Sequence, residues 1–374
     1  MHPKLRIGWV RGLVGLPVAL MLAAAPWGCG SGNGNSTSMT VLQTNLVSDQ
    51  AGKAPVIDPN LVNPWGMALS SQSPLWVANN HSGTSTLYNG SGQPFPVGMP
   101  LVVTIPLPPG SAGEAVAAPT GLVFNFTGDF IISQGATSGP SAFIFSTEDG
   151  TLAGWNQNVN LHEAILTVDN SEEEAIYKGL ALATSNSVSY LYATNFHAGR
   201  VDVFDGNFQS VELAGSFTDP NIPAGYAPFG IATSGGQLYI TYAKQDEDKE
   251  DDVKGPGNGY VDVFNTDGTF VKRFASQGTL NSPWGIAFPP NGFNGLGADV
   301  LIGNFGDGRI NVFAVNNGAF LGQLNDGVDP IMIDGLWSLV FGNGSSNGGD
   351  SNTLFFTAGP DDESHGLFGS LEPM

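Results

Sequence analysis

The sequence predicts an all-β protein: a six-bladed β-propeller of four-stranded blades, its ring closed by the N-terminal strand. Three observations carry this reading. A glycine-marked motif recurs six times at an even spacing, each copy is followed by strand-like runs, and the composition suits many short strands joined by turns. Glycine (52) and proline (25) are abundant, while charged residues make up only 12%.

The six openings are Asn63-Pro64-Trp65-Gly66, Ala118-Pro119-Thr120-Gly121, Tyr177-Lys178-Gly179, Ala227-Pro228-Phe229-Gly230, Ser282-Pro283-Trp284-Gly285 and Gly335-Leu336-Trp337-Ser338. The marked position falls at 66, 121, 179, 230, 285 and 338. Innermost propeller strands crowd around an axis, where a side chain would block the approach of the next backbone. Proline suits the entry to such a strand because it has no N–H to pair.

A second apolar run follows each opening. These are Leu75–Asn79, Phe130–Gln134, Leu191–Asn195, Leu238–Tyr242, Val300–Asn304 and Leu354–Ala358. A third run alternates apolar and polar residues, most clearly in Val201–Phe204, Val261–Phe264 and Ile310–Phe313, as a half-buried strand does. A weaker fourth run follows, for example Phe270–Phe274. The sixth copy stops after its third strand, near Leu371, and Thr40–Val47 is the candidate that completes it. Ring closure of this kind removes open sheet edges. It is expected to hold the fold without a disulfide, because the chain has one cysteine.

Residues 1–28 read as a signal peptide, 29–39 as a flexible Gly/Ser/Asn-rich tether, and 40–374 as the propeller. Lys4, Arg6 and Arg11 precede an apolar run from Leu13 to Ala25 that ends in small residues. Cys29 then opens a polar tract, which resembles a bacterial lipoprotein signal with Cys29 as the lipidation site. Pro26 and Trp27 depart from the preferred residues before such a cysteine, so cleavage near Ala25 with a free thiol is the alternative. The expected location is exported: periplasmic, outer-membrane lipoprotein or extracellular. Contact with a membrane is expected only through that lipid anchor.

The net charge of −21 becomes −24 without residues 1–28, which hold three basic residues and no acidic one. Such a surface repels phosphate backbones, so nucleic acid is not an expected partner. No phosphate loop, Gly-x-Ser-x-Gly elbow, zinc-type cysteine pair or dinucleotide fingerprint is present.

The succession Pro283-Trp284-Gly285-Ile286-Ala287, Val300–Asn304 and Gly308-Arg309-Ile310-Asn311-Val312-Phe313 resembles an NHL repeat, and the likeness extends over six divergent copies. The segments Asn63–Gly66, Ala78–Gly83, Asn195–Phe204 and His365–Gly369 make the chain similar to a family of exported bacterial propellers. Some members of that family end in a sorting tail with a Pro-Glu-Pro motif, whereas this chain ends Leu371-Glu372-Pro373-Met374. The resemblance implies a fold and not an activity.

Candidate site residues come from the loops between second and third strands. Asn79, Gln134, Asn195, Tyr242 and Asn304 end second strands, and a ring of amides and hydroxyls could hold a polar ligand or a hard cation. The plainer reading is that asparagine serves the turn that follows. His81, His197 and His365 lie in equivalent loops and are the candidates for catalysis or for a shared metal. Polar loop histidines bonded to nearby backbone are the alternative. His162 reads as structural. The acidic stretches Gln245–Asp252 and Asp361–Glu363 are oxygen-rich, as calcium requires, but lack EF-hand spacing, and a solvated charge run is the plainer reading.

The expected function is a binding or interaction module acting through its loop-rich channel face, as a monomer. Its partner would be an extracellular or envelope protein, a glycan or a small ligand. The alternative is a metal-dependent lyase or lactonase-type enzyme with a divalent cation (Ca or Zn) on the central channel.

Overall fold

Six strands that begin at the repeated motif surround one axis: Pro64–Ala68, Pro119–Phe124, Tyr177–Ser185, Tyr226–Ser234, Pro283–Ala287 and Leu336–Phe341. Each starts a small antiparallel sheet, and these sheets are blades 1 to 6 of a six-bladed propeller. The computed structural model describes residues 38–111 and 115–374, and every regular element among them is a strand. The signal peptide (1–28), Cys29 and most of the tether lie outside the described residues.

The recurring glycines do what crowding at the axis requires. A Cβ on Gly66 would stand 2.3 Å from the Thr120 carbonyl oxygen, and one on Gly230 would stand 2.1 Å from that of Trp284. Hydroxyls one residue before the second-strand ends tie blade to blade. Thr194 Oγ1 donates to the Phe229 carbonyl at 2.7 Å, and Thr357 Oγ1 donates to that of Trp65 at 2.6 Å. The second bond joins blade 6 to blade 1.

Apolar residues on the blade faces segregate into six clusters, one between each pair of neighbouring blades. The cluster between blades 6 and 1 holds Val47, Phe355 and Phe368 against Met67, Leu75 and Tyr88. Val47 belongs to the N-terminal strand Val41–Ser48, which pairs antiparallel with Leu367–Pro373. The expected closure of the last blade is therefore present. The same cluster stitches the first and last described strands into the ring.

Two blades depart from the plain repeat. In blade 2 the second strand is Phe143–Thr147, not the expected Phe130–Gln134. Ile131–Gln134 instead forms a separate hairpin with Thr137–Pro140. This insertion follows the innermost strand and is apolar enough to pass for a second strand. In blade 3 only three strands pair among the described residues: Tyr177–Ser185, Val188–Asn195 and Arg200–Asp205.

Candidate functional site

The axis is blocked near the face where the innermost strands begin. Trp65, Trp284, Trp337, Phe196, Phe229 and Phe305 form one buried aromatic cluster. The Trp337 ring stacks on Trp65 with centroids 3.6 Å apart and on Phe305 at 3.9 Å. Trp284 meets Trp337 edge-on at 5.7 Å. Stacked and edge-on pairs each add about 0.5–1.5 kcal/mol beyond simple burial. From the opposite face the channel is an apolar funnel of about 490 Å³, lined by side chains such as Leu122, Leu180, Ile231, Ile286 and Leu339. Aromatic rings thus fill the axis at this level, where the alternative reading placed a cation.

Above the plug lies a buried lysine. Lys178 occupies the position that is Trp65, Thr120, Phe229, Trp284 and Trp337 in the other blades. Its side chain is 2% exposed and forms an ion pair with Glu148 of blade 2. Asp251, from the long loop of blade 4, reaches the same ammonium at 3.3 Å. The ammonium also stands 5.3 Å from the Trp65 ring centre, a cation–π contact. Burial alone would lower the lysine pKa, but Glu148 and Asp251 outweigh it, and the value is raised above its ordinary range.

Carboxylates from three blades gather around this lysine. Asp252 is raised by burial, against the opposing pull of Lys178 and Lys254. Glu363, from the loop of blade 6, is pushed up to about 7 by burial and then by the charge of Glu148. The loop that presents it runs through three consecutive residues of left-handed backbone: Asp361, Asp362 and Glu363 (φ 56°, 50° and 64°). Non-glycine residues take this region at a cost, which places local strain beside the cluster.

Glu148 faces two ways. One oxygen holds Lys178, and the other accepts from Asn80 Nδ2 at 2.8 Å. Beside it opens a pocket of about 420 Å³, lined by Asp149, Ser171, Glu174, His197 and Glu250 among others. Burial raises the Asp149 carboxyl above its usual range. His197 Nε2 lies 3.8 Å from Glu174, and its Nδ1 is buried without a hydrogen-bond partner. The pocket is acidic, with one imidazole in its wall.

The expected ring of amides takes a different role. Asn79 Nδ2 bonds Thr86 at 3.0 Å, Asn195 Nδ2 bonds Asp202 at 2.9 Å, and Asn304 Nδ2 bonds the Thr279 carbonyl at 2.8 Å. Tyr242 is buried, with its hydroxyl unpartnered and its pKa raised by that burial. Gln134 is exposed on the inserted hairpin, where it accepts from Asn160 at 3.0 Å, and Thr147 takes its place in blade 2. The axial positions come one residue later, at Asn80, Glu148, Phe196, Ala243, Phe305 and Gly359. Strand side chains alternate, so a shift of one residue exchanges the two faces.

The histidines are also separated. His81 is exposed, His197 lines the acidic pocket, and His365 bonds Asp49 through Nδ1 at 2.8 Å. Among the described residues no three His, Cys, Asp or Glu side chains group as metal ligands. The trio does not build a shared metal centre. His162 is exposed in a loop, and its carbonyl accepts from the Thr104 N–H at 2.9 Å.

Fold and site define a six-bladed propeller with a plugged axis and an acidic, lysine-centred cup on its loop face. No family model matches the chain. It is 35% identical over 341 residues to uncharacterized protein R648 of Acanthamoeba polyphaga mimivirus, covering 87% of this chain and 78% of that protein. It is likewise 35% identical over 342 residues to uncharacterized protein L690 of the same virus, covering 87% and 84%. The chain belongs to the family of these mimivirus proteins. The relatives are thus viral, where the sequence had suggested exported bacterial propellers.

Among solved structures, the soluble aldose sugar dehydrogenase of Escherichia coli aligns with a TM-score of 0.53 at 12% identity, over 90% of this chain and all of that one. A streptogramin B lyase aligns at 0.50 and 14%, over 89% and 97%. At these identities the likeness is one of fold.

Proposed function

We propose that the protein is a binding module that takes a cationic ligand, an amine or a guanidinium, in the acidic pocket beside Glu148. One observation carries this reading. Glu148, Asp149, Glu174 and Glu250 line a single pocket whose other titratable wall is one imidazole. Carboxylates gathered in one pocket repel one another: burial is the main cause that raises Asp149, and the charge of Glu148 adds to it. A cation relieves that repulsion, whereas an anion adds to it. Glu148 is engaged by Lys178 and Asn80, and one Asp149 oxygen accepts from the Ala118 N–H, so the exposed carboxylates of Glu174 and Glu250 are the ones free to meet a ligand.

The basic, apolar and small-residue order of residues 1–28 supports export, with Cys29 as the point of lipid attachment. On this reading the partner is a small basic ligand or a basic side chain of an envelope or extracellular protein.

A second reading is a lyase or lactonase-type enzyme, favoured by one observation. Glu363 is pushed up to about 7, the value suited to a general acid or base near neutrality. The described residues do not group as metal ligands, so this version would rely on Glu363 and not on a cation.

A thermal-shift panel separates the readings. Spermidine and arginine are expected to raise Tm in a concentration-dependent way, while glucose and CaCl2 leave it unchanged. A shift with glucose or calcium alone, and none with amines, overturns the proposal.

A further inference from the structure

Among the described residues, the third blade lacks the outer strand that every other blade has. Its last strand, Arg200–Asp205, turns at Gly206 to Phe208, and the chain starts back along it. Asp205 N–H bonds the Gln209 carbonyl at 2.9 Å, and Val211 N–H bonds the Val203 carbonyl at 2.9 Å. Pairing then stops. The returning segment swings to blade 4, where Gly215 N–H bonds the Asp267 carbonyl at 2.8 Å and Phe217 N–H bonds that of Gly268 at 3.0 Å.

Three backbone groups are left over. The Val203 carbonyl points outward to Val211, so by strand alternation the Val203 N–H and the Val201 N–H and carbonyl point outward too. Among the described residues they have no hydrogen-bond partner. Val201 and Val203 are nevertheless 8% and 5% exposed, and unpaired backbone groups in such places are costly. In front of them lies a groove of about 640 Å³, bounded on its far side by Val211, Leu213 and Phe217.

We infer that blade 3 is a strand-acceptor site, completed by an extended peptide segment of a partner protein that adds along Arg200–Val203. The chemistry of the occupant follows from the molecule itself. In the five other blades this position is filled by a strand, and in blade 6 that strand, Val41–Ser48, comes from the far end of the sequence. The groups that need partners are amide and carbonyl, so the recognising element is peptide backbone. The Val201 and Val203 side chains pack on the blade 4 side, and the groove wall of Val211 and Leu213 is apolar. The added segment therefore alternates, with apolar residues facing that wall. This inference stands apart from the axial site.

The test uses the whole protein and a synthetic peptide with the sequence of residues 269–276, acetyl-Thr-Phe-Val-Lys-Arg-Phe-Ala-Ser-amide. This sequence fills the outer position of blade 4. Hydrogen exchange is followed at single amides. In the free protein the Val201 and Val203 amides are expected to exchange much faster than Val261 and Val263 of blade 4. Added peptide is expected to slow them with saturation. Val201→Pro removes an outward N–H and is expected to weaken labelled-peptide binding by about tenfold. The exchange measurement on the unaltered chain holds even if that variant fails to fold. Slow exchange in the free protein overturns the inference, as does the absence of saturable binding up to about 1 mM peptide, a weak-binding limit. Exchange that slows with protein concentration alone, alongside a dimer in sedimentation, also overturns it, because a second copy would then be the occupant.

Discussion

Lys178 and Glu148 form an ion pair across the boundary of blades 3 and 2, with the lysine buried over an indole and the glutamate reaching toward solvent. The pair sits where the aromatic plug meets the acidic cup. It belongs to both the fold and the site.

Breaking it from the lysine side leaves Glu148 facing the plug without its cation. Lys178→Met is expected to cost about 3 kcal/mol in urea unfolding, less than a fully buried pair because Glu148 is 25% exposed. Lys178→Met combined with Glu148→Gln should recover part of that loss. A double variant no better than the single one would show that packing of the lysine stem, and not charge, sets the cost.

The even spacing of the repeat and the need for closure at Val41–Ser48 were legible because both follow from backbone crowding and edge pairing, which leave marks in glycine and in alternation. The site was harder to see. Glu148 and Lys178 are single residues with no motif. The one available signal was a lone charge in an innermost strand where the other copies carry Trp, Phe or Thr. The amide ring was misplaced by one residue because second strands buried on both faces hide the phase of their pleat. Gln134 was misassigned because an inserted hairpin imitates a second strand.

Gly230→Ala tests the crowding argument. The added methyl meets the Trp284 carbonyl of the neighbouring innermost strand, which cannot yield without moving the blade. A loss of about 1–3 kcal/mol is expected. Gly128→Ala, where nothing lies within 4 Å of the new carbon, should stay within about 0.5 kcal/mol. Equal effects at the two positions would contradict the account.

Deleting residues 1–48 removes the strand that seals blade 6 and exposes the edge of Leu367–Pro373. Calorimetry should show Tm falling by about 10 °C or more, with a broader transition and a tendency to aggregate. A transition unchanged in width and midpoint would mean the ring closes by other contacts.

Glu363 gives the site a pH dependence. Its folded pKa, about 7, lies above its ordinary carboxylate value, so the folded state holds a proton that the unfolded chain has released. Its contribution to stability is therefore full below the ordinary carboxylate range and is lost as pH rises through about 7. Glu363→Gln should flatten that slope and leave the protein relatively more stable at pH 8. Cation binding favours the ionised carboxylate, so amine affinity should fall as pH drops from about 8 to about 6, with proton uptake on release. Affinity that rises on acidification would contradict this assignment.

The most direct test of the acidic pocket is calorimetric titration of spermidine into the protein and into the Glu174→Gln/Glu250→Gln variant at pH 7.5. Both substituted residues are exposed and lie outside the Lys178 pair, so folding should be preserved. The account predicts saturable binding by the unaltered protein and an affinity at least about tenfold weaker in the variant, the effect of two lost ionic contacts. Equal affinities, or no heat of binding in either protein, would contradict it.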